Sequence, residues 1–394
     1  MKRSTDRILT THAGRLPSPP DVMETVRAIQ RGEPHNPEAF GRRVRAMTAE
    51  VVRQQGETGV DIVSDGEIGR IGPFWGRLAG YGPRALRPGE DPRQTGTPRG
   101  EWQLFPTFYE EYWRAQSMGA ANLPLVCTGP ISYIGHDAIQ ADIANFKAAL
   151  AGASVAEAFM CSVSPGWLVP GFGYRDADFQ PHYPSEEAFF FALAEAMREE
   201  YKAIVDAGFI LQIDDPRVVS GWDVPDPRTN HHLTFEDYRK EATLRVEALN
   251  HALAGIPEDR IRHHVCWGSW KGPHTVDIPL QDALEIILRV KAQAHSIEAA
   301  NVRHEHEWKV WQDVRLPEGK ILIPGVIAHA TNLVEHPELV ADRLVRYANL
   351  VGRDNVIAGT DCGLGGRLHP EIVWAKFQAM AEGARLASAQ LWRR

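Results

Sequence analysis

Three segments of this chain each end a predicted strand with a side chain that can bind a soft metal ion. They are His264-Val265-Cys266, Glu298 in Ser-Ile-Glu-Ala-Ala, and Cys362 in Gly-Thr-Asp-Cys-Gly. Because side chains alternate along a strand, His264 and Cys266 point to the same face. One imidazole, two thiolates and one carboxylate form a four-coordinate set that suits zinc. Such a set in a large enzyme indicates thiol activation, and burial in the core is the alternative explanation for each cysteine.

These residues can form one metal site only in a fold that brings the ends of several strands together. Short apolar runs without alternation are typical of strands buried on both faces of a parallel sheet. Nine such runs occur, at residues 8–11, 60–64, 123–127, 158–163, 209–213, 261–266, 294–298, 321–327 and 356–360. Their alternation with helical segments predicts an α/β fold, a (β/α)8 TIM barrel with long loop insertions that forms a single domain over residues 1–394.

Nine strands are one too many for the barrel, and we expect 123–127 to pair outside it. A doubly wound open sheet is the alternative fold, but no Gly-x-Gly-x-x-Gly turn follows an early strand. Residues 67–105 are predicted to form a long loop. Helices are expected to begin after Asn36, Ser185 and Thr234, which are good N-cap residues.

Composition limits the partners of the protein. A formal net charge of −8 argues against nucleic acid or an anionic membrane as the main partner. No apolar run approaches the roughly 18 residues of a spanning helix, and the start of the chain lacks the apolar stretch of a signal peptide. Four cysteines do not form a disulfide framework, so a reducing cytoplasm is the default location. A homo-oligomer remains an open alternative.

The runs HVCWG, SIEAAN and GTDCGLGG, in that order at strand ends, resemble the catalytic domain of cobalamin-independent methionine synthase and its relatives. In that family this motif binds zinc, and the resemblance assigns its ligands to His264, Cys266, Glu298 and Cys362. The segments TTHAGRLP, DGE and LQIDDP resemble further family motifs. By this resemblance, Glu67 and Asp214 hold the amino group of homocysteine.

Two departures from the family pattern argue against methyltetrahydrofolate as the donor. The run SVSPGWLVPGFGYRD replaces a Trp-Ser-Phe segment, and residues 327–331 read Ile-Ala-His-Ala-Thr where Tyr-Asp-x-His-Ser is expected. Ala328 therefore replaces an acid, and His329 is displaced by one position. We also expect the protein to lack the family's duplicated N-terminal domain. This shorter form resembles the single-domain relatives, which include the epoxyalkane:coenzyme M transferases.

The expected function is zinc-dependent alkyl transfer to an activated thiolate, with an epoxide or a methyl donor as the electrophile. His329 and His12 are the candidate general acids. Trp267 is a candidate wall of the pocket, with ordinary packing as the alternative. Arg15, Arg70 and Arg77 are candidate cations for a thiol that carries a sulfonate. A metal-independent barrel of the uroporphyrinogen decarboxylase type and a thiol-binding protein without turnover are the rival classes.

Overall fold

A computed structural model of the chain describes residues 1–70, 74–85, 88, 100–116, 125–168, 179–222, 234–269 and 271–392. Strands in this part of the chain are β1 Leu9–Thr10, β2 Ile62–Ser64, β3 Leu78–Pro83, β4 Leu125–Tyr133, β5 Glu157–Val163, β6 Ile210–Asp214, β7 Ile261–Val265, β8 Ala294–Ile297, β9 Ile321–Ile327 and β10 Ile357–Thr360. Its α-helices are α1 Pro20–Gln30, α2 Pro37–Glu57, α3 Glu101–Leu104, α4 Pro106–Gln116, α5 His136–Leu150, α6 Glu186–Asp206, α7 Arg217–Ser220, α8 Phe235–Ala252, α9 Leu280–Leu288, α10 Val310–Asp313, α11 Pro337–Val351 and α12 Pro370–Leu391.

Eight parallel strands form the barrel, in the order β1-β10-β9-β8-β7-β6-β5-β2. The two end strands meet through hydrogen bonds, from Asp61 N to Thr10 O at 3.1 Å and from Thr11 Oγ1 to Ile62 O at 2.9 Å. The strands are parallel, so their carboxyl ends lie on the same side of the barrel. The predicted (β/α)8 architecture is confirmed, and the open doubly wound sheet is excluded.

The predicted helix starts are also confirmed. Asn36 accepts a hydrogen bond from Ala39 N before α2, and Ser185 accepts one from Ala188 N before α6. Thr234 forms a reciprocal capping box with Asp237 at the start of α8. Each cap satisfies backbone N–H groups that have no partner inside the helix.

The described part of the region predicted as one loop over residues 67–105 contains more regular structure than expected. It contains a short 3-10 helix at Phe74–Arg77, followed by β3, and it ends in α3. Strand β3 pairs antiparallel with β4 in a two-stranded sheet outside the barrel. The prediction that the extra apolar run, at residues 123–127, pairs outside the barrel is therefore correct, but its partner β3 contains two glycines and a proline, which hide a strand signal.

The core has two parts. An inner cluster contains only residues of the barrel strands: Leu9, Ile62, Phe159, Cys161, Ile210, Ala294, Ile321, Ile323 and Ile357. A larger outer cluster lies between strands and helices. Arg262 is buried with the inner cluster, where its guanidinium lies 4.1 Å from the centre of the Phe159 ring and donates to Thr11 Oγ1. None of the described helices is long and apolar enough to cross a membrane.

Candidate active site

The structure brings three of the four predicted metal ligands together at the carboxyl end of the barrel. His264 lies in β7, Cys266 directly follows that strand, and Cys362 lies just beyond β10. One ligand atom from each lies within 4.8 Å of the other two, and all three residues are buried. The Sγ atoms of Cys266 and Cys362 are 3.5 Å apart, as free thiols. Two thiolates on a tetrahedral zinc ion lie about 3.8 Å apart, so this spacing fits zinc.

The ring of His264 is fixed through one nitrogen atom. Its Nδ1 lies 3.1 Å from Ser296 Oγ on β8. Its Nε2 is buried and makes no hydrogen bond of normal geometry with any described residue. A metal-binding histidine is usually oriented by a hydrogen bond at its other nitrogen, and a buried nitrogen without a partner costs free energy. This unpartnered nitrogen beside two thiols is a donor set that fits a soft divalent metal ion.

Glu298, the fourth predicted ligand, lies beside this group rather than inside it. Its Oε2 accepts a hydrogen bond from Trp267 N at 2.9 Å, and its Oε1 accepts one from Asn301 Nδ2 at 2.8 Å. His329 Nδ1 lies 3.7 Å from Glu298 Oε1. Glu298, His329 and Asp361 form a second group whose ligand atoms lie within 4.8 Å of one another. Because Asp361 is next to Cys362 in the chain, the two groups are adjacent.

Asp361 holds the turn that carries Glu298. Its carboxylate accepts hydrogen bonds from the backbone N–H groups of Ala299 at 2.7 Å, Ala300 at 2.7 Å and Asn301 at 2.9 Å. A Cβ atom at Gly325 would collide with this carboxylate, so only glycine fits at that position on β9. Asp361 therefore fixes the position of Glu298 relative to Cys362, the residue that follows Asp361 in the chain.

Asp361→Asn should weaken metal binding, because an amide would turn an N–H donor toward backbone donors and loosen the turn of Glu298. Loss of such an orienting partner typically lowers metal affinity about 10–100-fold. Competition with a chromophoric chelator measures the zinc affinity, with the exposed Asp342→Asn as the matched control. Equal zinc affinity of wild type and Asp361→Asn would contradict the positioning role.

The two carboxylates predicted to bind the thiol's amino group also lie together. Glu67, Cys161 and Asp214 each offer a ligand atom within 4.8 Å of the others. Asp214 ends β6 and pairs in register with His264 on β7, so this pair borders the metal group. Burial raises the pKa of Asp214 to about 7, opposed by the charge of His264. The arrangement concentrates negative charge where an ammonium group would be stabilised.

The turn before Glu67 contains a buried acid that the sequence analysis did not single out. Asp65 follows β2, and its Oδ1 accepts a hydrogen bond from Glu67 N at 3.1 Å. Burial, assisted by the negative charge of Asp142, raises the pKa of Asp65 to about 7. An unfolded aspartate titrates near pH 4, so the stability contributed by this raised pKa is present below about pH 4 and is lost as the pH rises through about 7.

Asp65→Asn should therefore stabilise the protein at pH 8 and have little effect at pH 4. We expect the free energy of unfolding to rise by roughly 1–3 kcal/mol at pH 8 because asparagine avoids the buried charge. Denaturant unfolding of both proteins at the two pH values measures the difference. The exposed Asp313→Asn is the control. A stabilisation that is larger at pH 4 than at pH 8 would have the wrong sign.

The backbone of Arg15 lies close to the loops that carry Glu67 and Cys362. Gly365 N donates to Arg15 O at 2.8 Å, and a Cβ atom at Gly363 would lie 2.7 Å from Arg15 N. A Cβ atom at Gly14 would lie 3.3 Å from Glu67 Oε1. The loops after β1, β2 and β10 therefore pack closely around the candidate thiol site.

The rings of two predicted site residues are engaged in other contacts. The ring of His12 packs against Phe159 and Phe377, and its Nε2 lies 2.9 Å from Gln55 Oε1. Burial lowers the pKa of His12 to about 3, which leaves the ring neutral and unsuited to donate a proton at neutral pH. The ring of Trp267 is also buried, with its indole N–H donating to Ile278 O at 2.7 Å.

The chain matches the family described as the catalytic domain of cobalamin-independent synthase over residues 181–386. Its curated relatives include the 2-hydroxypropyl-CoM lyase of Xanthobacter autotrophicus, 25% identical over 53% of this chain and 57% of that protein. The chain thus aligns with little more than half of that relative. The methionine synthase of Saccharolobus solfataricus is 24% identical over 98% of this chain and 96% of that protein.

Solved structures agree with the fold. A B12-independent methionine synthase from Shewanella sp. W3-18-1, in complex with selenomethionine, superposes with a TM-score of 0.68 at 18% identity. The superposition covers 98% of this chain and 99% of that one. A putative vitamin-B12 independent methionine synthase from Listeria monocytogenes gives a TM-score of 0.61, also at 18% identity, over 98% and 100% of the two chains.

Proposed function

Because this chain belongs to the family of cobalamin-independent synthase catalytic domains, we propose that it transfers an alkyl group to the sulfur of a small thiol that zinc activates. The observation that carries the proposal is the buried group of His264, Cys266 and Cys362 at the carboxyl end of the barrel. We further propose that residues 1–394 act as one catalytic domain.

His264, Cys266 and Cys362 would hold the metal, and Glu298 would be the fourth ligand, the one that gives way to the substrate. When bound, zinc lowers the pKa of a coordinated thiol and maintains it as a thiolate at neutral pH. The hydrogen bonds from Trp267 N and Asn301 Nδ2 provide a place for the Glu298 carboxylate away from the two thiols. A carboxylate is the hardest donor of the set and the weakest partner for a soft ion.

The acids near this group favour a thiol that carries an ammonium group, such as homocysteine. Glu67 and Asp214 would accept charge-assisted hydrogen bonds from it, and they would repel a sulfonate. Two of the three candidate cations for a sulfonate are already paired. Arg70 lies 3.5 Å from Glu200 Oε1, and Arg77 lies 3.1 Å from Glu200 Oε2. Arg15 is the remaining candidate cation.

The alkyl donor is an epoxide or a methyl donor, and an oxygen or nitrogen leaving atom needs a proton. His329 is the candidate acid from the sequence, and it lies beside Glu298 at the edge of the metal group. The absence of the family's Trp-Ser-Phe segment and the replacement at Ala328 argue against a folate donor, since a pterin needs an aromatic face and an acid.

A matrix of acceptors and donors tests this function. Homocysteine, coenzyme M and glutathione are each combined with epoxypropane, methyltetrahydrofolate or a methylsulfonium salt, and thioether formation is followed by mass spectrometry. We expect homocysteine to be the best acceptor and the folate to be the poorest donor. Thioether formation in no combination by the zinc-loaded protein would contradict the function, and a normal turnover with the folate would favour a methionine synthase.

A further inference from the structure

A buried network of charges lies beside the acids that would bind the ammonium group, and Glu200 on α6 is its centre. The Oε2 atom of Glu200 accepts hydrogen bonds from Tyr133 OH at 2.7 Å and from Arg77 Nη1 at 3.1 Å. Its Oε1 atom accepts a hydrogen bond from Ser162 Oγ at 2.9 Å and lies 3.5 Å from Arg70 Nη1. One carboxylate thus joins β4 and β5 to two arginines of the segment between β2 and β3.

The carboxylate of Glu200 is charged although its side chain is only 1% exposed. Burial acts to raise the pKa of Glu200, but the positive charges of Arg70 and Arg77 keep this pKa below its usual range. Buried ion pairs contribute little stability over apolar packing, because both ions lose their hydration. Stability alone is therefore a weak reason for such a network, and its connection to the site is informative.

Arg70 connects this network to the proposed ammonium site. Its Nη2 donates a hydrogen bond to Cys161 O at 2.7 Å, and its guanidinium carbon lies 4.1 Å from the centre of the Phe74 ring. These contacts anchor the guanidinium beside β5. Its Nε lies 3.9 Å from Glu67 Oε2, and Cys161 belongs to the same group of ligand atoms as Glu67 and Asp214. Arg70 is therefore a cation at the border of the ammonium site.

The guanidinium of Arg70 lies between two carboxylates and forms a close hydrogen bond with neither. Its Nη1, 3.5 Å from Glu200 Oε1, is buried and makes no hydrogen bond of normal geometry in the described part of the chain. Its Nε is farther from Glu67 Oε2, at 3.9 Å. A guanidinium that paired closely with Glu67 would occupy the oxygens that a substrate ammonium needs. The charge of Glu200 therefore sets how strongly Arg70 competes for Glu67.

The formal charges of the network leave one negative charge for a substrate. Two groups are positive, Arg70 and Arg77, and three are negative, Glu67, Asp142 and Glu200, so the five carry a net charge of −1. Asp142 pairs with Arg77 Nη2 at 2.5 Å, and Glu200 interacts with both arginines. The excess negative charge is thus at Glu67, where an ammonium would balance it. Removal of the charge of Glu200 would cancel this excess.

We propose that Glu200 determines thiol specificity: it holds Arg70 away from Glu67 and so selects thiols with an ammonium group over thiols with a sulfonate. The inference rests on the proposed function. Glu200 acts through Arg70 and is a positioning residue. Without its charge, Arg70 would pair with Glu67 and present a cation to the site. The same change would then weaken the binding of homocysteine and strengthen the binding of coenzyme M.

The test measures the Kd of each thiol by titration calorimetry with the zinc-loaded protein. Glu200→Gln keeps the size of the side chain and removes its charge. We expect the Kd of homocysteine to rise about 10-fold or more and that of coenzyme M to fall about 10-fold, because a charge-assisted contact is lost for one thiol and gained for the other. The Kd of 2-mercaptoethanol, which carries neither group, should stay within about threefold of its wild-type value.

Further variants separate this role from a loss of structure. Glu199→Gln removes a carboxylate from the neighbouring, exposed position of α6 and should leave every Kd unchanged. In an Arg70→Gln background, Glu200→Gln should no longer change the selectivity, because the cation through which Glu200 acts is absent. Zinc content and melting temperature are measured for every variant. If Glu200→Gln unfolds, Glu200→Asp replaces it. That variant retracts the carboxylate from Arg70 and should shift both Kd values in the same directions by a smaller factor.

The proposal is overturned if a folded Glu200 variant keeps the wild-type ratio of the two Kd values, or if the loss extends equally to 2-mercaptoethanol. Weaker binding of homocysteine by Arg70→Gln would also overturn it, since Arg70 would then bind this substrate itself. The thioether assay examines the proposed function separately. A wild type that shows the expected Kd values but alkylates no thiol contradicts the alkyl transfer and leaves the role of Glu200 in thiol binding in place.

Discussion

Cys266→Ala is expected to remove both the metal and alkyl transfer while the barrel stays folded. The thiol of Cys266 lies 3.5 Å from that of Cys362, and alanine leaves His264 and Cys362 without the third strong ligand. Changes to residues that only orient a ligand cost about 10–100-fold, so loss of a ligand should cost at least about 100-fold in rate. Elemental analysis and the thioether assay measure the two effects.

The matched control is Cys127→Ala, which removes another buried thiol. Cys127 lies in β4 outside the barrel, where its thiol donates to Gly129 O at 3.1 Å. This variant should keep zinc and activity at the wild-type level. The role of Cys266 would be rejected if Cys266→Ala retained stoichiometric zinc, or if it lost activity only because its melting temperature collapsed.

Asp214→Asn is expected to raise the KM for homocysteine steeply without changing zinc content. The variant removes one charge from the pair formed with Glu67, and a hydrogen bond to a charged group contributes about 1.5–3 kcal/mol. The expected increase in KM is therefore roughly 10–150-fold. Initial rates at saturating donor, over a range of homocysteine concentrations, give the value.

An uncharged thiol provides the internal control for this prediction. The KM for 2-mercaptoethanol should be nearly the same in wild type and Asp214→Asn, since that thiol has no ammonium group. Equal KM values for homocysteine in the two proteins would reject the ammonium-binding role. A KM for coenzyme M that falls in the variant would instead identify a sulfonate thiol as the acceptor.

The position of the metal group could be predicted from sequence because it depends on strand ends and side-chain alternation. His264 and Cys266 are two positions apart, so their side chains lie on the same face of the strand. Because the barrel strands are parallel, Cys362 lies at the same end of the barrel. The place of Glu298 could not be predicted in the same way. Glu298 directly follows β8, and the turn after it is set by three backbone N–H groups that bind Asp361.

The other differences also arise from contacts between segments that are distant in sequence. His12 and Trp267 lie in polar or glycine-rich segments typical of pocket walls, yet packing against Phe159 and His304 buries both rings.

X-ray absorption at the zinc edge is the most direct measurement of thiol activation at this site. The purified protein should contain about one zinc per chain, bound by two sulfur ligands and by lighter nitrogen or oxygen ligands. Addition of homocysteine should introduce a third sulfur ligand, and Asp214→Asn should require more homocysteine for the same change. A protein without zinc, or a zinc ion whose sulfur count stays at two with homocysteine, coenzyme M and glutathione, would contradict the proposed activation of a thiol.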